Sequence, residues 1–212
     1  MILYSHAFLE GEYIPARYAA GAMGGKVSEN VNPPLQWNEV PVETKSFVLV
    51  CHDPDAPAVK DDVGKTDREV APETPRQNFY HWLLVDLPAD LHRIEEGAFS
   101  SGFVSKGKQD RMAAHGTRQG LNDYTSWSKG DPDAEGLYFG YDGPWPPFND
   151  SIPHRYIFTL YALTVEKLDV QGDFTGVEVM KALKALDEKG GVLDKASLTG
   201  LYTLNQRLRS GA

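Results

Sequence analysis

What most limits the fold open to this chain is its punctuation. Fourteen prolines and twenty glycines are spread through 212 residues, so few stretches between turn-formers are long enough for a helix. Proline fixes φ and removes a backbone donor, while glycine opens turn conformations. A chain divided this way favours short strands joined by many turns. Three surviving apolar segments read as strands. Residues 46–51 are short, apolar and Val-rich. Residues 79–87 place Phe79, His81, Leu83 and Val85 on one face and Tyr80, Trp82 and Leu84 on the other, by the period of two. Both faces are apolar, so cover on both sides is expected. Residues 155–163 place Tyr156, Phe158 and Leu160 opposite Ile157, Thr159 and Tyr161. His154 has the parity of Tyr156, so the two can point into one cavity.

One helix stands out. Thr175 is a cap candidate with Glu178 as capping-box partner, Val177, Met180, Leu183 and Leu186 recur at helical spacing, and Gly190-Gly191 ends it. Residues 192–201 fit a second short helix and then a strand, and pattern alone does not decide. Residues 58–76 and 126–136 are polar and read as surface loops. The expected fold is all-β, with few helices, in a single domain over residues 1–212.

The formal net charge of −9, from 21 basic and 30 acidic residues, argues against generic binding to nucleic acid or an anionic membrane. No run approaches the roughly 20 apolar residues that a membrane span needs. The opening Met1-Ile2-Leu3-Tyr4-Ser5-His6 lacks a signal-peptide pattern. The single cysteine, Cys51, excludes an internal disulfide, fits a reducing compartment, and reads as a buried structural thiol within its apolar strand. A cytoplasmic protein is expected.

Two proline-rich junctions concentrate the polar chemistry. One is Asp53-Pro54-Asp55-Ala56-Pro57. The other is Gly143-Pro144-Trp145-Pro146-Pro147, followed by His154-Arg155-Tyr156. Rigid turns at strand ends hold polar groups still at a pocket rim. Together with His81 and several aromatics, they point to a small anion-compatible pocket. Each residue also has a plainer reading: Asp53 and Asp55 as turn caps, His81 as a satisfied core histidine, Arg155 as a carboxylate's partner. His52, Asp53 and Asp55, with His81 or His154, are metal-ligand types, but Pro54 and Pro57 stiffen the turn and no ligand spacing appears. No metal or cofactor is expected. The serine-elbow, P-loop and H-E-x-x-H patterns are absent from the sequence. The tight turn predicts a cis peptide at Ala56–Pro57.

Several ordered motifs resemble one family. They are Asn32-Pro33-Pro34-Leu35-Gln36-Trp37 with Val40-Pro41, Asp53 to Pro57, and Tyr80-His81-Trp82 ending at Leu87-Pro88. Then come Gly120 with Asn122-Asp123-Tyr124, Tyr141 to Pro147, His154-Arg155-Tyr156, and Ala196-Ser197-Leu198-Thr199-Gly200-Leu201-Tyr202. Over nearly its whole length the chain resembles the phosphatidylethanolamine-binding proteins, most closely their bacterial and archaeal Raf-kinase-inhibitor-like branch. That resemblance implies a central antiparallel Greek-key sheet with a second, smaller sheet packed on it. It implies an anion pocket of Asp53, Asp55, His81, His154 and Tyr156, with Asp53 orienting a histidine. Gly143, Pro144, Trp145, Pro146 and Pro147 would form a wall, and Phe79 an aromatic rim. The expected function is non-catalytic binding of a phosphate, phosphoethanolamine or carboxylate head group, with a regulatory role and pH-dependent affinity. An inhibitor of a kinase or peptidase is the alternative, and a hydrolase using Asp53 and His81 a further one. A homodimer is expected by the same resemblance. The chain departs from the family in its longer stretches after Pro57 and Thr125, in Trp145, and in the link Phe148-Asn149-Asp150-Ser151-Ile152, which lacks the usual lysine. Trp145 is expected to narrow the pocket mouth.

Overall fold

A computed structural model describes residues 1–209. Ten strands appear in chain order: β1 (Ile2–Tyr4), β2 (Gly21–Ala22), β3 (Lys26–Val27), β4 (Leu35–Asn38), β5 (Ser46–Pro57), β6 (Arg76–Pro88), β7 (Arg93–Ile94), β8 (Arg118–Gln119), β9 (His154–Leu163) and β10 (Val192–Tyr202). The helices are α1 (Tyr124–Trp127), α2 (Gly176–Asp187) and α3 (Gln206–Arg209). The main sheet has the order β10-β9-β5-β6-β8, and a smaller one the order β1-β4-β7. Every pairing within them is antiparallel.

The alternation in the apolar runs explains why the main sheet is covered twice. Phe47, Leu49, Cys51, Phe158, Leu160 and Ala162 face one core, which the small sheet closes with Leu3, Leu35, Trp37 and Ile94. Val48, Val50, Leu83 and Val85 face a second core, closed by Val179 and Leu183 of α2. Truncating a side chain as buried as Phe158 to alanine costs about 3–5 kcal/mol. These cores hold the middles of β5, β6 and β9 rigid, and the site lies at their ends.

The capping box at Thr175 and Glu178 forms, with the Glu178 carboxylate accepting the Thr175 backbone N–H at 2.6 Å. The buried helical face is Gly176, Val179 and Leu183, however, and Val177 points to solvent at 73% exposure. Residues 192–201 contain no helix. They form one continuous strand along β9, because backbone pairing down nine consecutive register positions from Asp194 outweighs local helical propensity. All peptide bonds among the described residues are trans, against the expectation for Ala56–Pro57. The reason is that β5 does not turn there: it runs extended to Pro57, which pairs with Arg76.

Candidate functional site

Register breaks in the β5–β6 pair build the site. Cys51 faces Trp82, yet the next residue, His52, faces Tyr80. His81 is therefore the extra residue of a β-bulge. A bulge re-aims a side chain without ending the strand. It separates His81 from Leu83 and Val85, whose face the simple alternation assigned it, and sets its ring on Tyr156 with centroids 5.1 Å apart. A second break lies between Asp53, opposite Phe79, and Ala56, opposite Gln77. Here β5 gains a residue, and Asp53 and Asp55 diverge in role. The N–H of Asp55 donates to Oδ1 of Asp53 at 2.7 Å, while Asp55 grips the Arg155 guanidinium at 2.9 and 2.8 Å.

His154, at the start of β9, is clasped between two carboxylates. Its Nδ1 lies 2.7 Å from Oδ2 of Asp53 and its Nε2 lies 3.0 Å from Oδ2 of Asp150. Arg76 donates to both oxygens of Asp150, at 2.6 and 3.1 Å. Burial opposes charge on the His154 ring, but Asp53 and Asp150 outweigh it and raise the ring to about 9. His154 is therefore a cation at neutral pH, with both nitrogens engaged. His81 is its opposite. Burial, only partly offset by Asp53 and a backbone hydrogen bond, lowers it to about 4. Its Nδ1 lies 2.8 Å from the Asp142 carbonyl. A carbonyl only accepts, so Nδ1 carries the proton and Nε2 of the neutral ring is an acceptor. Among the described residues, no protein group bonds that Nε2. The Tyr156 hydroxyl is buried and also without a protein partner.

The Asp142 carbonyl that fixes His81 belongs to a tightly held turn. The Asp142 carboxylate accepts from Asn30 at 2.8 Å, Asn122 at 2.8 Å and Lys108 at 2.6 Å. Burial pushes this carboxyl up, against the pull of Lys108 and the two amides. Gly143 follows because a β-carbon there would lie 2.1 Å from the Tyr18 carbonyl oxygen. Pro144 accepts the N–H groups of Ala20 and Gly21 at 3.0 Å each. The Trp145 ring then lies over Gly21, where a β-carbon would come within 2.3 Å of ring carbons.

These elements line an open cavity of about 450 Å³. Asp53, His81, His154 and Tyr156 stand in it, beneath Phe79, Trp145 and Pro147.

The family pattern of the phosphatidylethanolamine-binding proteins matches residues 4–203 of this chain. The chain belongs to that family. It is 33% identical over 203 residues to UPF0098 protein YbhB of Escherichia coli, covering 96% of this chain and 100% of that one. A UPF0098 protein of Methanothermobacter thermautotrophicus is 33% identical over 202 residues, covering 95% and 98%. Among solved structures, Escherichia coli YbcL, described as a new member of the mammalian PEBP family, superposes with a TM-score of 0.67 at 27% identity. That alignment covers 95% of this chain and 97% of the other. Family membership supports a ligand-binding protein built on this β-rich fold.

Eight of the eleven expected site residues line the cavity: Asp53, Phe79, His81, Trp145, Pro146, Pro147, His154 and Tyr156. Asp55, Gly143 and Pro144 do not; they brace the walls through the contacts above. Arg155 pairs with Asp55, as a structural residue would. Trp145 forms a wall without closing the space. Sequence reasoning missed Asp142 and Asp150. Asp142 lies within the Tyr141 to Pro147 motif, where the charged residue beside the proline-rich turn was the available signal. Asp150 sits in the link read only as lacking a lysine, yet it supplies a second carboxylate to His154. His52 belongs to another surface: its ring lies beside Tyr80, with centroids 6.0 Å apart.

Proposed function

We propose that this protein is a non-catalytic, regulatory ligand-binding protein whose cavity takes the protonated acid group of a small phosphate- or carboxylate-type molecule. One observation carries the reading. Tyr156, whose buried hydroxyl has no protein partner, and His81, whose Nε2 is unbonded by protein, line one cavity with their rings in contact. The hydroxyl offers a proton and Nε2 a lone pair. A P–OH or carboxylic acid group answers both. A fully ionised phosphate carries acceptors alone, and would meet the His81 lone pair and the Asp53 carboxylate unfavourably. His154 offers a ligand no hydrogen bond, since both its nitrogens are taken, and its charge is balanced by the carboxylates that clasp it.

The same geometry favours holding over converting. A general base needs a free lone pair and a pKa near working pH. His154 has no free nitrogen, and His81 is lowered to about 4. The test is proton–nitrogen NMR of the imidazoles during titration with inorganic phosphate and O-phosphoethanolamine at pH 5.5 and 8. A phosphate monoester such as O-phosphoethanolamine, with its second pKa about 6, is mostly singly protonated at the lower pH and almost wholly ionised at the higher, whereas inorganic phosphate holds its second proton to higher pH and changes less between the two. Saturable His81 shifts, with affinity for O-phosphoethanolamine at least about tenfold higher at pH 5.5, are the expected result. Equal affinity at both pH values, or shifts that bypass His81, would refute the proposal.

A further inference from the structure

The cavity is much larger than an acid group, and six aromatic rings beyond His81 and Tyr156 stand in its wall. A volume of about 450 Å³ in a cleft open on one side lies within the ~300–1,000 Å³ range of small-molecule sites. Its wall includes the rings of Phe79, Phe103, Tyr124, Trp127, Tyr138 and Trp145, interleaved with proline, aliphatic and small residues such as Pro57, Val63 and Leu204. These rings form one connected belt. Phe79 meets Tyr124 at 5.2 Å and 80°, and Trp127 at 6.2 Å and 71°. Phe103 meets Tyr124 at 6.1 Å and 73°, and Trp145 at 5.7 Å and 76°. The belt begins at the head-group end, where the His81 ring lies 4.9 Å from that of Phe79 and 5.6 Å from that of Tyr124.

The two tyrosines keep their polar ends out of this space. The Tyr124 hydroxyl donates to the Gly143 carbonyl at 2.8 Å and the Tyr138 hydroxyl to the Ala134 carbonyl at 2.7 Å. Both therefore contribute ring surface. Near-perpendicular neighbours present edges and faces side by side, and a flat π-system complements both through its own quadrupole, whereas an alkyl chain gains only buried area. Three of the rings lie in segments that depart from the family pattern: Trp127 and Tyr138 within the longer stretch after Thr125, and Trp145 in the proline-rich turn.

We infer that the ligand of this cavity carries a flat aromatic body beside its acid group, as an aryl phosphate or an aromatic carboxylic acid does. This rests on the head-group reading above. Anchored at His81 and Tyr156, such a molecule lays its ring along the belt toward Trp127.

The test is calorimetric titration of the full chain at pH 5.5 with inorganic phosphate, hexyl phosphate, 1-naphthyl phosphate, 1-naphthoate and the uncharged 1-naphthylmethanol. Naphthyl phosphate is expected to bind at least about tenfold more tightly than inorganic phosphate and about two- to tenfold more tightly than hexyl phosphate. Naphthoate against naphthyl phosphate reads which acid the floor prefers. Trp127→Leu, at the end of the belt where the ring is 36% exposed, is expected to shrink the advantage of naphthyl over hexyl. Phe103→Leu is the second variant with the same expectation. Hexyl phosphate binding as tightly as naphthyl phosphate, or phosphate as tightly as either, overturns the inference. Naphthylmethanol binding while no acid does supports the aromatic site and sinks the head-group reading instead.

Discussion

The clasp on His154 makes the stability of this protein depend on pH in a calculable way. The ring is 1% exposed, and the carboxylates on either side of it, Asp53 and Asp150, are 4% and 1% exposed, so solvent screens the interaction little. An unfolded histidine releases its proton near 6.5, whereas folded His154 keeps it to about 9. Between those values the folded state binds more protons than the unfolded one, so stability falls as pH rises. Each tenfold step in proton affinity is worth about 1.4 kcal/mol, and the interval corresponds to about 3 kcal/mol. The contribution is complete below pH 6.5 and gone above about 9. His81 works in the opposite direction. Its folded value of about 4 means that its contribution is intact above 6.5 and lost as pH falls toward 4. Urea unfolding of the wild type and His154→Gln at pH 6.5 and 9.5 isolates the first effect. Other titrating groups cancel when the two losses are compared, and any general weakening of the variant cancels as well. The wild type is expected to lose about 3 kcal/mol more than the variant over this interval. Equal losses would show that the carboxylates do not hold the proton on His154.

Other perturbations test the remaining parts of the site. Tyr156→Phe removes an unpartnered buried hydroxyl, so thermal denaturation should show stability unchanged or raised by up to about 1 kcal/mol, while calorimetry shows acid ligands weakened roughly five- to tenfold. Lys108→Met leaves the Asp142 carboxylate buried without its cation and should cost about 3–5 kcal/mol by urea unfolding at pH 7. The cost should shrink as pH is lowered, because burial already raises the Asp142 carboxyl and loss of Lys108 removes a cause that lowers it. Gly21→Ala drives a methyl into the Trp145 ring and should destabilise by about 1–3 kcal/mol in the same assay, with weaker binding of 1-naphthyl phosphate as the wall shifts.

The fold was legible wherever burial alone decided the pattern. The middles of β5, β6 and β9 are apolar on both faces because cores lie on both sides, and that signal is local. It failed where pairing overrode it. Residues 192–201 carry a weak mixed pattern, and β9 supplies the hydrogen bonds that make them a strand. Val177 fits a helical repeat by spacing, but the surface that α2 covers is set by where Val48, Val50, Leu83 and Val85 present it, and Val179 with Leu183 meets that surface. The prolines of residues 53–57 suggested a tight turn because proline limits the backbone, yet the same φ fits extended strand, which is what β5 adopts.

For the site, residue types were readable and their roles were not. Asp53, His81, His154 and Tyr156 fall together as the two motifs and the family resemblance implied. Alternation, however, assigned His81 to the wrong side of β6, because a bulge changes parity without any required residue type. The division of labour between the histidines was equally hidden. It depends on Asp53 meeting a histidine 101 residues away and on the Asp142 carbonyl meeting another 61 residues away. The link at residues 148–152 shows the consequence most directly. Read by composition, it removes a positive charge from an anion pocket. In the structure it adds Asp150, and Arg76 comes with it, so Asp53, Asp150, His154 and Arg76 sum to no net charge. A pocket balanced in this way has little to offer a dianion through charge. What remains to discriminate ligands is one hydroxyl, one bare imidazole nitrogen and the rings beyond them, and both hydrogen-bonding groups take their positions from strands β6 and β9.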